Sequence, residues 1–155
     1  MKRYLITGGC GFIGQHLIKN LLKKKCIIDI IDLPKKKNLI RSKYINSFKG
    51  DISNKNIFEK LNKKYDVAFH LAAQTSGRLS EVDSEKDINS NVVGSLNFCE
   101  WAKLKKPKRV VFTSSMSVYG KIANNAKESE NCKPVSIYGL SKLYSEKLFE
   151  RLKKY

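Results

Sequence analysis

The run Thr7-Gly8-Gly9-Cys10-Gly11-Phe12-Ile13-Gly14 constrains the fold of this chain more than any other stretch. It follows a short apolar run at 4–6 and opens a pattern in which Phe12, Ile13, Leu17, Ile18, Leu21 and Leu22 recur at intervals of three and four. Spacing of that kind predicts a strand, a glycine turn and an amphipathic helix. In that context a glycine-rich loop can hold a pyrophosphate. One glycine makes the tight turn, one lets the backbone approach the phosphates, and one lets the helix pack on the strand. The helix N-terminus adds free N–H groups and the positive end of a dipole. Gly8, Gly11 and Gly14 are the three candidates, spaced three and three rather than two and three.

A second apolar run at 26–31 ends in Asp32. Dinucleotide sites place an acidic residue about 20 residues beyond the first glycine, at the tip of the second strand. A carboxylate there accepts from both hydroxyls of an adenosine ribose and repels a 2′-phosphate, which favours NAD over NADP. The plainer alternative is that Asp32 only opens the Asp-Leu-Pro turn. Lys35, Lys36 and Lys37 follow closely and could tolerate a phosphorylated ribose.

The whole chain, residues 1–155, fits one domain with a real core. No apolar stretch is long enough to span a bilayer, and the run after Met1-Lys2-Arg3 is too short for a signal peptide. Cys10, Cys26, Cys99 and Cys132 are scattered, with no Cys-x-x-Cys pair and no histidine at ligand spacing. They read as reduced thiols of a cytoplasmic protein, with no metal site. A net charge of +17 suggests an anionic partner. The lysines are nevertheless dispersed over 23–25, 35–37, 63–64, 103–108 and 153–154, at expected helix ends and loops, where they suit the helix dipole. No nucleic-acid recognition motif accompanies them, so neither nucleic acid nor membrane is an expected partner.

Beyond the first unit, strands are expected near 26–32, 44–49, 66–71 and 109–113. A helix capped by Ser53 or Asn54 follows Gly50-Asp51-Ile52 and carries Ile57, Phe58 and Leu61. A loop is expected over 74–83, a long helix over 87–105, and a final helix from 137 to the chain end. Alternating βα units with right-handed crossovers give an α/β, doubly wound parallel sheet in the order 3-2-1-4-5, with ligand at the carboxyl ends of the strands.

A second chemical signal lies in Tyr138-Gly139-Leu140-Ser141-Lys142. Residues four apart on a helix share a face, with Cβ atoms roughly 6 Å apart. An ammonium beside a phenol favours the phenolate, and such a tyrosine can take a proton from a substrate hydroxyl while hydride leaves for a nicotinamide. Taken alone, a Tyr-x-x-x-Lys pair also suits any solvated helix. The fifth strand runs into Thr113-Ser114-Ser115-Met116-Ser117-Val118-Tyr119-Gly120, where a hydroxyl could bond the reacting oxygen. Ser115 is the leading candidate, with Ser114 and Ser117 as rivals. His70, at a strand end, reads as a packing residue, and His16 carries no signal.

These segments together resemble the N-terminal part of an extended short-chain dehydrogenase/reductase of the NAD-dependent epimerase/dehydratase family, whose members act on nucleotide sugars. The resemblance rests on 7–14, Asp32, Gly-Asp-Ile at 50–52, His-Leu-Ala-Ala-Gln at 70–74 and Asn-Val-Val-Gly-Ser at 91–95. The 114–120 run and Tyr138 with Lys142 complete it. It implies a Rossmann-type fold with NAD as cofactor. The backbone of Phe12 and Ile13 would meet the pyrophosphate, Asp32 the ribose, and Asp51 and Ile52 the adenine. Leu71, Ala72 and Ala73 would line the cofactor path, with Gln74 at its edge and Asn91 fixing its surroundings. Ser115 would polarise the substrate oxygen, Tyr138 act as base, and Lys142 hold the nicotinamide ribose.

Similar enzymes that dehydrate a sugar carry an Asp-Glu pair directly after the catalytic hydroxyl. Met116 and Ser117 stand there in this chain, so the resemblance implies epimerisation by reversible oxidation of a ring hydroxyl rather than dehydration. It also implies a substrate-binding C-terminal domain that these residues do not include. That half would be lost or separately encoded, and the segments 87–105 and 137–155 would make homodimer contacts. A non-catalytic NAD-binding sensor is the alternative reading, and a nucleic-acid binder a remote one.

Overall fold

Five short runs rich in β-branched and aromatic residues form the strands, as such side chains fit a sheet covered on both faces. The computed structural model describes all residues except 37, 39, 122–125 and 155. Strands β1 (Arg3–Thr7), β2 (Ile27–Asp32), β3 (Ile45–Lys49), β4 (Val67–His70) and β5 (Arg109–Phe112) pair in parallel in the order β3-β2-β1-β4-β5. The expected order is the observed one. Thr7 pairs with Ile31 on one side and His70 on the other, and His70 with Phe112, so the carboxyl ends form one rim.

Helix α1 (Phe12–Leu22) covers one face, where Ile18 packs with Tyr4, Ile6, Ile28 and Ile30. The other face packs Leu5, Ile31 and Ala68 against Phe58, Leu61, Phe98 and Trp101. Near the amino end of that face lies a buried ion cluster. Asp29 accepts from Arg3 Nη1 at 2.9 Å, Asn46 Nδ2 at 2.7 Å and the Tyr65 hydroxyl at 2.6 Å.

Several elements differ from their expected form. Helix α2 (Asn56–Glu59) is a single turn with Lys55 at its N-cap rather than Ser53 or Asn54; Asn54 Oδ1 instead accepts from the Asn56 N–H at 3.1 Å. The expected loop at 74–83 contains helix α3 (Gly77–Val82), and helix α4 (Ser84–Ile88) starts before residue 87. Both are set by caps rather than by an apolar stripe: Ser76 accepts from the Leu79 N–H, and Asp83 from the Lys86 N–H. Helix α4 widens into a π turn (Asn89–Val93) before α5 (Gly94–Lys105), so the expected long helix has three parts. A 3₁₀ turn (Met116–Tyr119) precedes helix α6 (Ile137–Leu152), which Ser136 caps and which stops before residue 155. Lys37 and Tyr155, which figured in the sequence reading, lie outside the described residues.

Candidate active site

The glycine turn joins β1 to α1 and is fixed from both sides. Gly8 sits at φ +73°, and a Cβ there would stand 2.6 Å from the Ala72 nitrogen, so only glycine fits. A Cβ on Gly14 would stand 2.5 Å from the Gly8 carbonyl oxygen, which explains how closely α1 packs on the turn. The Gly8 N–H bonds the Ile31 carbonyl at 2.8 Å, and the Cys10 N–H donates to Asp32 Oδ2 at 2.7 Å. Asp32 Oδ1 accepts from the Leu33 N–H at 2.8 Å. Asp32 is therefore a strut between β2 and the glycine turn, with lone pairs left for a ligand. Burial and the Asp32 carboxylate push the Cys10 thiol up to about 11. Helix α1 has no side-chain cap and no acidic residue in its first turn, which leaves its first N–H groups open toward the rim.

A cleft of about 810 Å³ runs along this rim. Gly8, Gly11, Phe12, Ile13 and Gly14 form one wall, with Asp32, Asp51 and Ile52 at one end and Leu71, Ala72, Ala73 and Gln74 along the other side. Phe12 is 81 % and Ile13 59 % exposed there, a large apolar surface at a mouth rather than in a core. Lys36, Asp83, Glu85 and Lys86 also line the cleft, and sequence reasoning assigned none of the last three.

Asn91, Ser115, Tyr138 and Lys142 are not in the cleft lining, but a polar network joins their elements to it. Asn91 is buried in the π turn. Its Oδ1 accepts from the Gln74 N–H at 2.9 Å, and its Nδ2 lies 3.1 Å from the Gln74 carbonyl, Asp87 Oδ2 and Ser141 Oγ. Ser141 Oγ donates to the Tyr138 carbonyl at 3.0 Å, and Ser145 Oγ to the Asn91 carbonyl at 2.8 Å. The start of α6 is also pinned by Glu81, which accepts from the Ile137 N–H at 2.9 Å.

Ser115 opens the 3₁₀ turn, where its Oγ accepts from the Ser117 N–H and bonds the Ser117 hydroxyl, both at 3.2 Å. That turn touches α6 at Gly139, where any Cβ would strike the Ser117 carbonyl. Ser115 and Tyr138 are thus carried on touching elements, with Tyr138 half-buried and Ser114 exposed. Lys142 departs from the simple pairing with Tyr138. It is only 3 % exposed, and its ammonium lies 4.2 Å from the centroid of the Phe112 ring. Burial holds its pKa down to about 8.

His70 lies beneath this layer and is buried, as its strand-end position suggested. Its Nδ1 is 2.9 Å from Thr7 Oγ1 and its Nε2 3.2 Å from Ser95 Oγ, while its ring packs on Phe98, Phe112 and Phe149. Burial and the nearby Lys142 charge push it down to about 3, so it is neutral. Thr7 Oγ1 also accepts from the Ala72 N–H at 3.3 Å, so His70 supports the 71–74 wall rather than contacting a ligand.

Comparison with known proteins agrees with this geometry. A putative UDP-glucose 4-epimerase of Methanocaldococcus jannaschii is 36% identical over 159 residues, covering 96% of this chain and 51% of the relative. A UDP-N-acetyl-alpha-D-glucosaminuronate decarboxylase of Bacillus cytotoxicus is 39% identical over 127 residues, 77% of this chain and 38% of the relative. Among solved structures, the Thermus thermophilus UDP-glucose 4-epimerase in complex with NAD superposes with a TM-score of 0.89 at 29% identity, over 98% of this chain and 51% of that one. The chain spans about half the length of such relatives. Residues 4–155 match the family described as NAD dependent epimerase/dehydratase. With that match over nearly its whole length, and the glycine turn, strand order and rim already in view, the chain belongs to the NAD dependent epimerase/dehydratase family.

Proposed function

We propose that this chain is the cofactor-binding and catalytic portion of an NAD-dependent nucleotide-sugar epimerase. The observation that carries the reading is one continuous rim. The glycine turn, Asp32 and the 71–74 wall share a cleft, and Asn91 ties that wall to the helix bearing Tyr138 and Lys142. The cleft fits a dinucleotide: it lies within the roughly 300–1,000 Å³ of small-molecule sites, and its glycine wall is held in shape by close backbone contacts that a Cβ on Gly8 or Gly14 would not allow.

In this reading the open first turn of α1 receives the pyrophosphate, Asp32 the adenosine ribose hydroxyls, and Asp51 with Ile52 the adenine. Bound NAD would supply a reversible hydride acceptor for the carbon bearing the reacting hydroxyl. Tyr138 takes the proton of the substrate hydroxyl and returns it. The Lys142 ammonium binds the nicotinamide ribose, for which it must leave the Phe112 ring. Ser115 donates to the reacting oxygen. Met116 and Ser117 supply no carboxyl for loss of water, which favours epimerisation. Sugar recognition is assigned to sequence beyond the matched half of the relatives, and α5 and α6 are the proposed dimer contacts.

Calorimetric titration with NAD tests the first layer, and incubation with UDP-sugars followed by chromatographic separation of epimers tests the second. Micromolar NAD binding is expected, weakened at least tenfold by Asp32→Ala. Absence of binding at millimolar NAD would overturn the proposal. Binding without turnover, even with the C-terminal half of a relative added, would point instead to an NAD sensor.

A further inference from the structure

A second cavity, of about 280 Å³, opens beside the Asp32 end of the cleft and shares Asp32, Leu33 and Lys36 with it. Its floor is the sheet. Ile30 and Asp32 alternate along β2, and Ser47 and Lys49 stand level with them on β3, so all four face one side. Ile30 packs with Ile18 of α1, which identifies that side as the α1 face. Parallel strands are usually joined through a helix lying on the sheet. The described residues between β2 and β3 form no helix, and the hollow occupies the face that one would cover.

The loop that closes the hollow is anchored. Asn38 Oδ1 accepts from Gln15 Nε2 on α1 and from the Ile40 N–H, both at 3.0 Å, and Ile40 packs on the core beneath. Arg41 follows directly and lines the cavity, together with Lys36 and with Lys49 at the end of β3. None of these three cations has an ion pair among the described residues. Against them stands one carboxylate, Asp32, whose two oxygens already accept the Cys10 N–H at 2.7 Å and the Leu33 N–H at 2.8 Å. The Cys10 thiol, pushed up to about 11 by burial and Asp32, adds no charge. The cavity is therefore electropositive. A phosphate monoester carries about −1.5 to −2 at neutral pH, and a guanidinium can meet it with two parallel N–H donors.

We propose that this cavity is a phosphate subsite in which Arg41 and Lys49, with Lys36 at the shared edge, hold the 2′-phosphate of NADP, so that the chain takes NADP as well as NAD. The inference rests on the proposed function, since it takes the adenosine ribose to lie at Asp32. A group carried on that ribose meets the cavity next. Asp32 opposes the added charge, and the three cations offset it.

The test is calorimetric titration of the full chain with NAD and NADP in parallel. NADP is expected to bind within about tenfold of NAD. In the double variant Arg41→Gln/Lys49→Gln the NADP dissociation constant should rise by about tenfold or more, while that of NAD changes by less than about twofold. Both side chains are exposed and line the second cavity but not the cleft, and retained NAD binding reports that the variant is folded. Lys63→Gln/Lys64→Gln removes the same charge from exposed positions before β4, at the opposite end of the sheet, and should leave the NADP-to-NAD ratio unchanged. NADP bound more than about a hundredfold more weakly than NAD by the wild type would overturn the proposal. So would a ratio that Arg41→Gln/Lys49→Gln does not move, or one that the Lys63 and Lys64 exchange moves equally. Absence of binding by both cofactors would strike the proposed function as well, whereas binding of NAD alone strikes only the subsite.

Discussion

Asn91 clasps the backbone of Gln74 at two points: its Oδ1 receives the Gln74 N–H at 2.9 Å, and its Nδ2 faces the Gln74 carbonyl at 3.1 Å. The carboxamide thereby acts like a strand partner for one residue of the cleft wall. Asn91→Ala leaves the Gln74 N–H without its acceptor and takes one of two donors from Asp87 Oδ2, and is expected to cost about 2–4 kcal/mol in urea unfolding. NAD affinity should fall with it. A variant that unfolds at the wild-type midpoint would show that the clasp contributes nothing.

The glycine turn gives a steric prediction with an internal control. Gly14→Ala places a methyl 2.5 Å from the Gly8 carbonyl, so the turn must shift and NAD binding should drop more than tenfold. Gly77→Ala has nothing within 4 Å and should leave both binding and thermal midpoint unchanged. Calorimetry on the two variants side by side decides the point.

Lys142 predicts an alkaline gain in stability. Its pKa is held at about 8 by burial, below the ordinary 10.5, so below pH 8 both states carry the charge and the folded state bears its desolvation. Between pH 8 and 10.5 the unfolded chain keeps the proton that the folded chain has released, and stability rises. Lys142→Met removes this slope. The difference between the two proteins should change by up to about 3 kcal/mol across that window, measured by urea unfolding at stepped pH.

His70 predicts the acid limb. With its pKa near 3 against the ordinary 6.5, the unfolded chain takes up a proton that the folded chain refuses, so stability falls as pH drops through that interval. His70→Gln should flatten the limb between pH 6.5 and 3 by up to about 5 kcal/mol, while lowering stability at neutral pH through lost ring packing. Acid unfolding that is identical in both proteins would refute the assignment.

The parts of the site built from backbone were legible in the sequence. Gly8, Gly14 and Asp32 could be placed because a turn of this shape admits few residues, and the sheet order followed from alternating apolar runs and helices. The parts built from polar side chains were not. Helix α3 has no apolar stripe and rests on the Ser76 cap, so its residues read as loop. Asp87 escaped notice although Asp87 with Asn91, and Ser141 with Ser145, stand four apart on helices and mark the very faces that meet. The spacing of Tyr138 and Lys142 puts both on one helix face, but the rest of Lys142 on Phe112 depends on a contact between β5 and α6 that no local spacing encodes.

The π turn at Asn89–Val93 has a consequence for insertions and deletions. An α-helix advances about 100° per residue. The widened turn takes up one extra residue in a single revolution, so deleting one there would restore a regular α-helix and leave Asp87 as well as Phe98 and Trp101 facing as they do. The same deletion within α5, where no widened turn takes it up, would rotate everything on its amino side by about 100° and carry Asp87 and Asn91 away from Gln74.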